Sequence, residues 1–496
     1  MTVCNTCYIV LHFELIHLIP INPTKMKIEQ IYTGCLAQGA YYVVSNQEAF
    51  IIDPLRETQP YMDRIAADGV KLKYIFETHF HADFVSGHLD LSKQTGAPIV
   101  YGPTAKTEFE AIVAEDGQVF EIGNVKIKVL HTPGHTMESS TFLLINEEGK
   151  DEAIFSGDTL FLGDVGRPDL AQKAADMTQA QLAGILYDSL MTKIMPLADH
   201  VTVYPAHGAG SACGKNMMKE TVDTLGNQKK MNYALNQPNK EAFIAAVTDG
   251  LLPPPAYFGH NVAMNKKGYD SFEAVKEKAM TPLSPAALET IVEATNALIL
   301  DTRPAADFHK GFVPQAINIG IRGDFAPWVG ALIGDVKQEI VLITEVGMEE
   351  EVITRLSRVG FDKVLGYLEG GFAAWQEAGK VVDQVTRITA DEFASQFKAG
   401  ESIVIDVRKE SEYEAEHVED AYSKPLAYIN DWTKDIQPDQ HFFMHCAGGY
   451  RSMIAASILQ ARGYRNFTEV DGGFGAISKT AVPKTDFICQ SKVHKI

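Results

Sequence analysis

Four separate loops of this chain carry metal-type side chains, and each follows directly on an apolar strand pattern. Leu72-Lys73-Tyr74-Ile75-Phe76 runs into Thr78-His79-Phe80-His81-Ala82-Asp83-Phe84, and the strand pattern from Val125 to Leu130 runs into His131-Thr132-Pro133-Gly134-His135. Ala153 to Phe155 leads to Asp158, and Val201 to Tyr204 leads to His207. A strand sends every second side chain to the same face, so His79, His81 and Asp83 leave the first of these strands pointing together. Ligands collected from several strand ends at one sheet edge are how an α/β fold builds a metal centre. Further strand patterns at Met26 to Tyr32, Ala49 to Pro54 and Pro98 to Tyr101, with a helical pattern from Gln59 to Gly69, complete an α/β reading of this half.

The second half repeats itself. Leu300-Asp301-Thr302-Arg303 is answered by Ile405-Asp406-Val407-Arg408, and Leu368-Glu369-Gly370-Gly371-Phe372 by Val470-Asp471-Gly472-Gly473-Phe474. A spacing of about a hundred residues is too long for a solenoid unit and marks two copies of one domain. Strand and helix patterns alternate in each copy, which predicts a parallel sheet covered on both faces. In the second copy a buried strand, Phe442 to His445, delivers Cys446 to the loop Ala447-Gly448-Gly449-Tyr450-Arg451 and then to a helix. Loop amides, a helix N-terminus and Arg451 all stabilise anionic sulfur, so Cys446 is read as a nucleophile and Arg451 as its partner. The first copy contains no cysteine. Thr344 or Glu345 stands at the nucleophile's position, and Glu349, Glu350 and Glu351 follow where the arginine is due. Three carboxylates would repel anionic sulfur, so this copy is expected to be inactive.

The 496 residues carry a net charge of −20, which argues against nucleic acid and anionic membrane as partners, since both are polyanions. Six scattered cysteines make no disulfide framework and suit a reducing cytoplasm. The apolar run from Leu11 to Ile21 is broken by His12, Glu14 and His17 and has no basic leader, so it reads as neither secretory signal nor membrane span. The expected organisation is an unstructured or upstream extension at 1–25, a metal-binding domain with a helical cap at 26–255, and a linker at 256–282. An inactive domain at 283–382 and an active one at 385–482 follow.

The run from His79 to Phe84 resembles the His-x-His-x-Asp-His signature of the metallo-β-lactamase superfamily, with Phe84 in place of the last histidine. His131-Thr132-Pro133-Gly134-His135-Thr136, Ser156-Gly157-Asp158-Thr159-Leu160-Phe161 and Tyr204-Pro205-Ala206-His207-Gly208 resemble further motifs of that superfamily. The resemblance implies an αββα sandwich. The loop around Cys446, with Asp406-Val407-Arg408, resembles a rhodanese (sulfurtransferase) domain, which implies two doubly wound parallel-sheet domains after the sandwich.

In two-metal hydrolases of the superfamily the second ion would use Asp83, Asp158, His207 and the residue at 84. Phenylalanine cannot bind a metal, so one ion is expected. Persulfide dioxygenases of this fold hold a single ferrous ion on two histidines and a carboxylate, which carry over to His79, His135 and Asp158. His81, Asp83, His207 and Arg167 would then surround the ion or meet substrate; Arg167 fits a surface salt bridge equally well. His131 reads as a turn residue, His88 and Tyr257 as pocket lining or packing, and Cys213 as a sulfur relay or an inert buried thiol.

The expected activity is that of a persulfide dioxygenase–rhodanese fusion. One Fe(II) per chain would support O2-dependent oxidation of a low-molecular-weight thiol persulfide to sulfite, and Cys446 would carry sulfane sulfur to or from thiosulfate. The thiol is left open among glutathione, coenzyme A and others, and a homo-oligomer is expected. The alternative is a zinc-dependent thioesterase resembling glyoxalase II joined to a sulfurtransferase. A third reading is a non-enzymatic sulfur-carrier scaffold.

Overall fold

The computed structural model describes residues 26–488 apart from 252 and 438, and of Lys173 and Ala174 only the backbone; the extension expected at 1–25 lies outside the described residues. Alternation along the strands builds the first core. Tyr41, Val43, Phe50, Ile52 and Phe76 project from one sheet to meet Phe120, Ile127, Val129, Phe142, Leu144 and Phe155 from another. Their rings pack edge-on, Phe50 at 5.7 Å from Phe76 and Phe76 at 5.5 Å from Phe120, in the geometry aromatic quadrupoles favour.

Each sheet has six strands. The first runs in chain order through Lys27–Thr33, Gln38–Ser45, Glu48–Ile52, Lys71–Glu77, Ile99–Tyr101 and Ile112–Val113. It turns from antiparallel to parallel at Glu48–Ile52. The second orders Asp223–Thr224, Thr202–Pro205, Asp151–Gly157, Ser140–Ile145, Val125–His131 and Val119–Ile122. Helices Gln59–Asp68 and His88–Thr95 cover the outer face of the first sheet, and Gln179–Ser189 with Lys240–Thr248 covers that of the second. The result is the expected helix–sheet–sheet–helix sandwich.

Each repeat is a five-stranded parallel sheet with the same strand order. The first runs Pro282–Leu283, Val364–Leu368, Ile340–Ile343, Leu298–Asp301, Ile317–Asn318; the second runs Arg387–Ile388, Phe467–Val470, Phe442–His445, Val404–Asp406, Tyr422–Ser423. The repeated motifs lock together in space. Asp301 grips Arg303, and Arg303 lies 4.1 Å over the ring of Phe372; Asp406, Arg408 and Phe474 repeat this at the same 4.1 Å. The motifs are therefore structural: a buried ion pair at one strand end is roofed by an aromatic on the helix that follows another strand of the same sheet, Gly371–Glu377 or Gly473–Ile477.

The first repeat docks on the sandwich beside the metal-type loop. The Val85 N–H donates to the Arg358 carbonyl at 2.7 Å, and the Arg358 guanidinium clasps Glu57. Arg56 is fully buried, 4.4 Å over the Tyr269 ring and 2.9 Å from the Asp362 carboxylate. Removing that carboxylate leaves a buried guanidinium without a counter-charge. Asp362→Ala is therefore expected to cost about 3 kcal/mol in denaturant unfolding; a loss below about 1 kcal/mol would show the pair to be inert.

Candidate metal centre and sulfur-transfer loop

Asp53 sits at the end of Glu48–Ile52 and organises the turn after the neighbouring strand, Lys71–Glu77. It accepts from the Thr78 N–H at 2.8 Å and from the Thr78 hydroxyl at 2.8 Å. With its proton committed to Asp53, Thr78 Oγ1 can only accept from His79 Nδ1, 3.0 Å away. His135 Nδ1 faces the Arg167 carbonyl at 2.9 Å, again an acceptor. Both histidines thus donate from Nδ1 and keep Nε2 as a lone-pair donor, the orientation metal-ligating imidazoles adopt. Both Nε2 atoms face Asp158 Oδ2, at 3.8 Å from His79 and 3.4 Å from His135.

These three residues are buried, and their ligand atoms lie within 4.8 Å of one another. Among the described residues His135 Nε2 and both Asp158 oxygens find no hydrogen-bond partner, which is costly for buried polar atoms and fits a cation among them. Burial holds His79 well below its ordinary titration range, with the neighbouring imidazoles His81, His135 and His207 acting the same way. It is neutral, as a ligand must be. The glycine of Thr132-Pro133-Gly134-His135 follows from packing: Gly134 has φ +138° and approaches the Leu186 backbone so closely that a Cβ would lie 2.4 Å from Leu186 Cα.

His81 pairs with two carboxylates and also joins Asp83 and His207 in a further buried group of possible ligand atoms. Its Nε2 lies 3.1 Å from Asp53 Oδ1 and 3.5 Å from Glu77 Oε2. Burial alone would depress its pKa, but the carboxylates of Asp53, Glu77 and Asp83 raise it to about 9. Phe84 is fully buried, its ring centroid 4.2 Å from that of His81, in a cluster that continues into the first repeat. His207 Nε2 lies 3.3 Å from Asp83 Oδ2 and 3.6 Å from Asp158 Oδ1, and Cys213 joins Asp158 and His207 in a second group of ligand atoms. Burial, with Asp83 and Asp158 beside it, pushes the Cys213 thiol well up. Arg167 binds Asp169 in a two-pronged pair at 2.7 and 2.8 Å and donates to the Ala212 carbonyl, tying the metal loop to the loop after His207. His88 packs against Tyr101, Phe109 and Tyr269, and His131 turns its Nε2 to the Met137 carbonyl.

Asn265 was not foreseen. Its Nδ2 donates to the carbonyls of His81 and Phe84, both at 2.8 Å, and its Oδ1 accepts from Ser86 N–H at 2.8 Å. One fully buried amide from a helix about 180 residues away thus braces the whole metal-type turn. Local sequence carried no sign of it.

In the second repeat Cys446 is buried at the end of Phe442–His445. The Gly449 N–H donates to its Sγ at 3.1 Å, and Ser452 Oγ lies 3.3 Å from the sulfur. Gly449 is the N-cap of the twelve-residue helix Tyr450–Ala461. Arg451 is held in two hydrogen bonds by Glu412, at 2.6 and 2.9 Å. Gly473 has φ +54° and passes so close to the nucleophile's strand that a Cβ would stand 2.3 Å from the Cys446 carbonyl oxygen. Gly371 makes the same approach to the Thr344 carbonyl, which fixes Thr344, rather than Glu345, as the counterpart of Cys446. In the first repeat the Gly347 N–H donates to Glu349 at 2.8 Å, so a carboxylate occupies the amide that faces sulfur in the second.

Comparison with known proteins accords with this division. The Metallo-beta-lactamase superfamily matches residues 33–207, and the Rhodanese-like domain matches 284–378 and 389–480. A hydroxyacylglutathione hydrolase of Francisella philomiragia is 31% identical over 198 residues, 40% of this chain and 71% of that protein. A beta-lactamase hydrolase-like protein of Xylella fastidiosa is 28% identical over 263 residues, 46% of this chain; the chain spans only 57% of its length. The crystal structure of a metallo-beta-lactamase from Staphylococcus aureus superposes with TM-score 0.61 at 30% identity, covering 70% of this chain and 98% of that one. ETHE1 from Myxococcus xanthus gives TM-score 0.42 at 26% identity over 48% of this chain and 98% of its own. Among the described residues no helix is long and apolar enough to cross a membrane. The chain belongs to the metallo-beta-lactamase superfamily, with two rhodanese-like domains following the sandwich.

Proposed function

We propose that the chain oxidises the sulfane sulfur of a low-molecular-weight thiol persulfide to sulfite with O2 and passes sulfane sulfur through Cys446. The observation that carries this reading is a buried two-histidine, one-carboxylate group on the same chain as an amide-cradled cysteine. His79, His135 and Asp158 would hold one ferrous ion, which would supply the redox chemistry that joins sulfur to O2. Around it the chain's own groups do ordinary work. Thr78 and the Arg167 carbonyl fix the two imidazoles, Asp53 and Glu77 hold His81, and the buried Phe84 ring packs against it. The overall reaction takes a persulfide, O2 and water to a thiol and sulfite, with two protons released.

At the second centre the Cys446 thiolate attacks the sulfane sulfur of a persulfide. The S–S bond breaks, the thiol leaves with a proton, and Cys446 carries the sulfur. Sulfite then attacks that outer sulfur, releasing thiosulfate and restoring the thiolate. The Gly449 N–H and the helix N-terminus behind it stabilise negative charge on sulfur in both steps. Arg451 acts from the rim, held there by Glu412.

A second reading is favoured by the relatives named hydroxyacylglutathione hydrolase and by the Asp158, His207 and Cys213 group. It is a zinc-dependent thioesterase joined to the same sulfurtransferase. A zinc-loaded chain that hydrolyses glutathione thioesters and takes up no O2 would establish it.

Two outcomes are expected. His79→Ala, His135→Ala and Asp158→Ala should each lower bound metal at least about tenfold, whereas His81→Gln keeps it near one ion per chain; equal losses in all four, by elemental analysis, would place His81 in the coordination shell. Cys446→Ser should leave O2 uptake and sulfite formation within about twofold of the parent and lower thiosulfate formation at least about a hundredfold, the order expected for loss of a covalent nucleophile. Loss of O2 uptake in that variant would break the division of labour.

A further inference from the structure

A cavity of about 360 Å³ lies where all three domains meet. Leu36 and Asp83 line it from the sandwich, Tyr257 from the connector, Asp324 and Trp328 from the cysteine-free repeat, and Lys409 from the active repeat. Its volume falls in the range of pockets that enclose small organic ligands, about 300–1,000 Å³.

Asp83 leads from it toward the metal-type group and Lys409 toward the Cys446 loop, neither of which lines it. Asp83 is buried, its Oδ2 is 3.3 Å from His207 Nε2, and its Oδ1 has no hydrogen-bond partner. The Lys409 N–H donates to the Glu412 carboxylate that grips Arg451 of the Cys446 loop. Tyr450, the residue after Gly449, packs on Gly323 and donates to the Gly320 carbonyl at 2.8 Å, bringing that loop against the segment that ends in Asp324. The cysteine-free repeat supplies the wall between them. Trp328 is half-buried on its helix Phe325–Leu332, and Gly330 on the same helix seats the Tyr257 ring so closely that a Cβ would lie 2.4 Å from it.

Resting on the reading above, we propose that this cavity seats the body of the thiol persulfide for both centres, and that Trp328 of the inactive repeat is its main positioning residue. A flat aromatic, the buried Tyr257 and Leu36 contact an organic body, and Lys409 offers a single cation to an anionic group such as a carboxylate. With Asp83 and Asp324 in the same lining as Lys409, the cavity fits a compact thiol bearing few charges and disfavours a carrier with several phosphates. The inactive repeat, having lost its nucleophile, retains a function in recognition.

The test uses the full chain, Trp328→Ala with Trp328→Phe as the conservative rescue, Lys409→Met as a second exposed-site variant, and glutathione persulfide as probe. Trp328→Ala is expected to raise KM for O2 uptake about tenfold with kcat within about twofold. At Cys446 it should lower selectivity for glutathione persulfide over thiosulfate, read as sulfur loading by intact mass, by about the same factor. Trp328→Phe should recover most of both, and Lys409→Met should shift both in the same direction. No change at either centre, or a change at one only, overturns the shared seat. If the parent takes up no O2 with any persulfide, the proposed oxidation fails, and the variants are then scored on glutathione thioester hydrolysis at the metal centre beside Cys446 loading. A common rise in KM would keep the seat, and an unchanged KM would remove it.

Discussion

The turn that carries His79, His81 and Asp83 is held from outside its own domain, and the metal centre depends on that support. Asn265 closes three hydrogen bonds on its backbone, and the first repeat adds a fourth through Val85 and Arg358. A turn so rich in buried charge would otherwise relax toward water, because each unpaired buried polar group costs on the order of 1–3 kcal/mol. Phe84 belongs to the same support. Where a metal-binding side chain would be expected, an aromatic ring instead joins the apolar cluster shared with the first repeat, so the position serves the interface.

The two repeats show which parts of a sulfur-transfer domain are structural and which are chemical. The Asp–Arg pair, the roofing phenylalanine and the glycine pressed on the strand-end carbonyl recur with closely similar geometry in both. What differs is the loop. In one copy a glycine amide faces the sulfur of Cys446, and in the other the corresponding amide is taken by Glu349. The amide that would cradle an anion in the first copy is thus taken by its own carboxylate, and the helix Phe325–Leu332 of that copy lines the cavity between the domains.

Much of this was legible in the sequence because it is periodic or local. The strands reaching His79, His135, Asp158 and His207 stand within a residue or two of their apolar patterns, and the two parallel sheets follow from the repeat. The features that were not legible are long-range. Asn265 and Arg56 act across about 180 and 306 positions respectively, and nothing in their neighbourhoods marks them. The reading of His81 needed Asp53 and Glu77 in place, since its spacing on the strand equals that of His79 and only the surrounding charges tell them apart. Choosing Thr344 over Glu345 likewise required the glycine contact, and Arg451 found its partner, Glu412, across a fold contact that no spacing announces.

In the proposed function one ion sits among His79, His135 and Asp158. The most direct measurement is anomalous diffraction at the iron edge from crystals of the chain loaded anaerobically with Fe(II). One peak among His79 Nε2, His135 Nε2 and Asp158 is the predicted result. Two peaks sharing Asp158, the second among Asp83, His207 and Cys213, would contradict it.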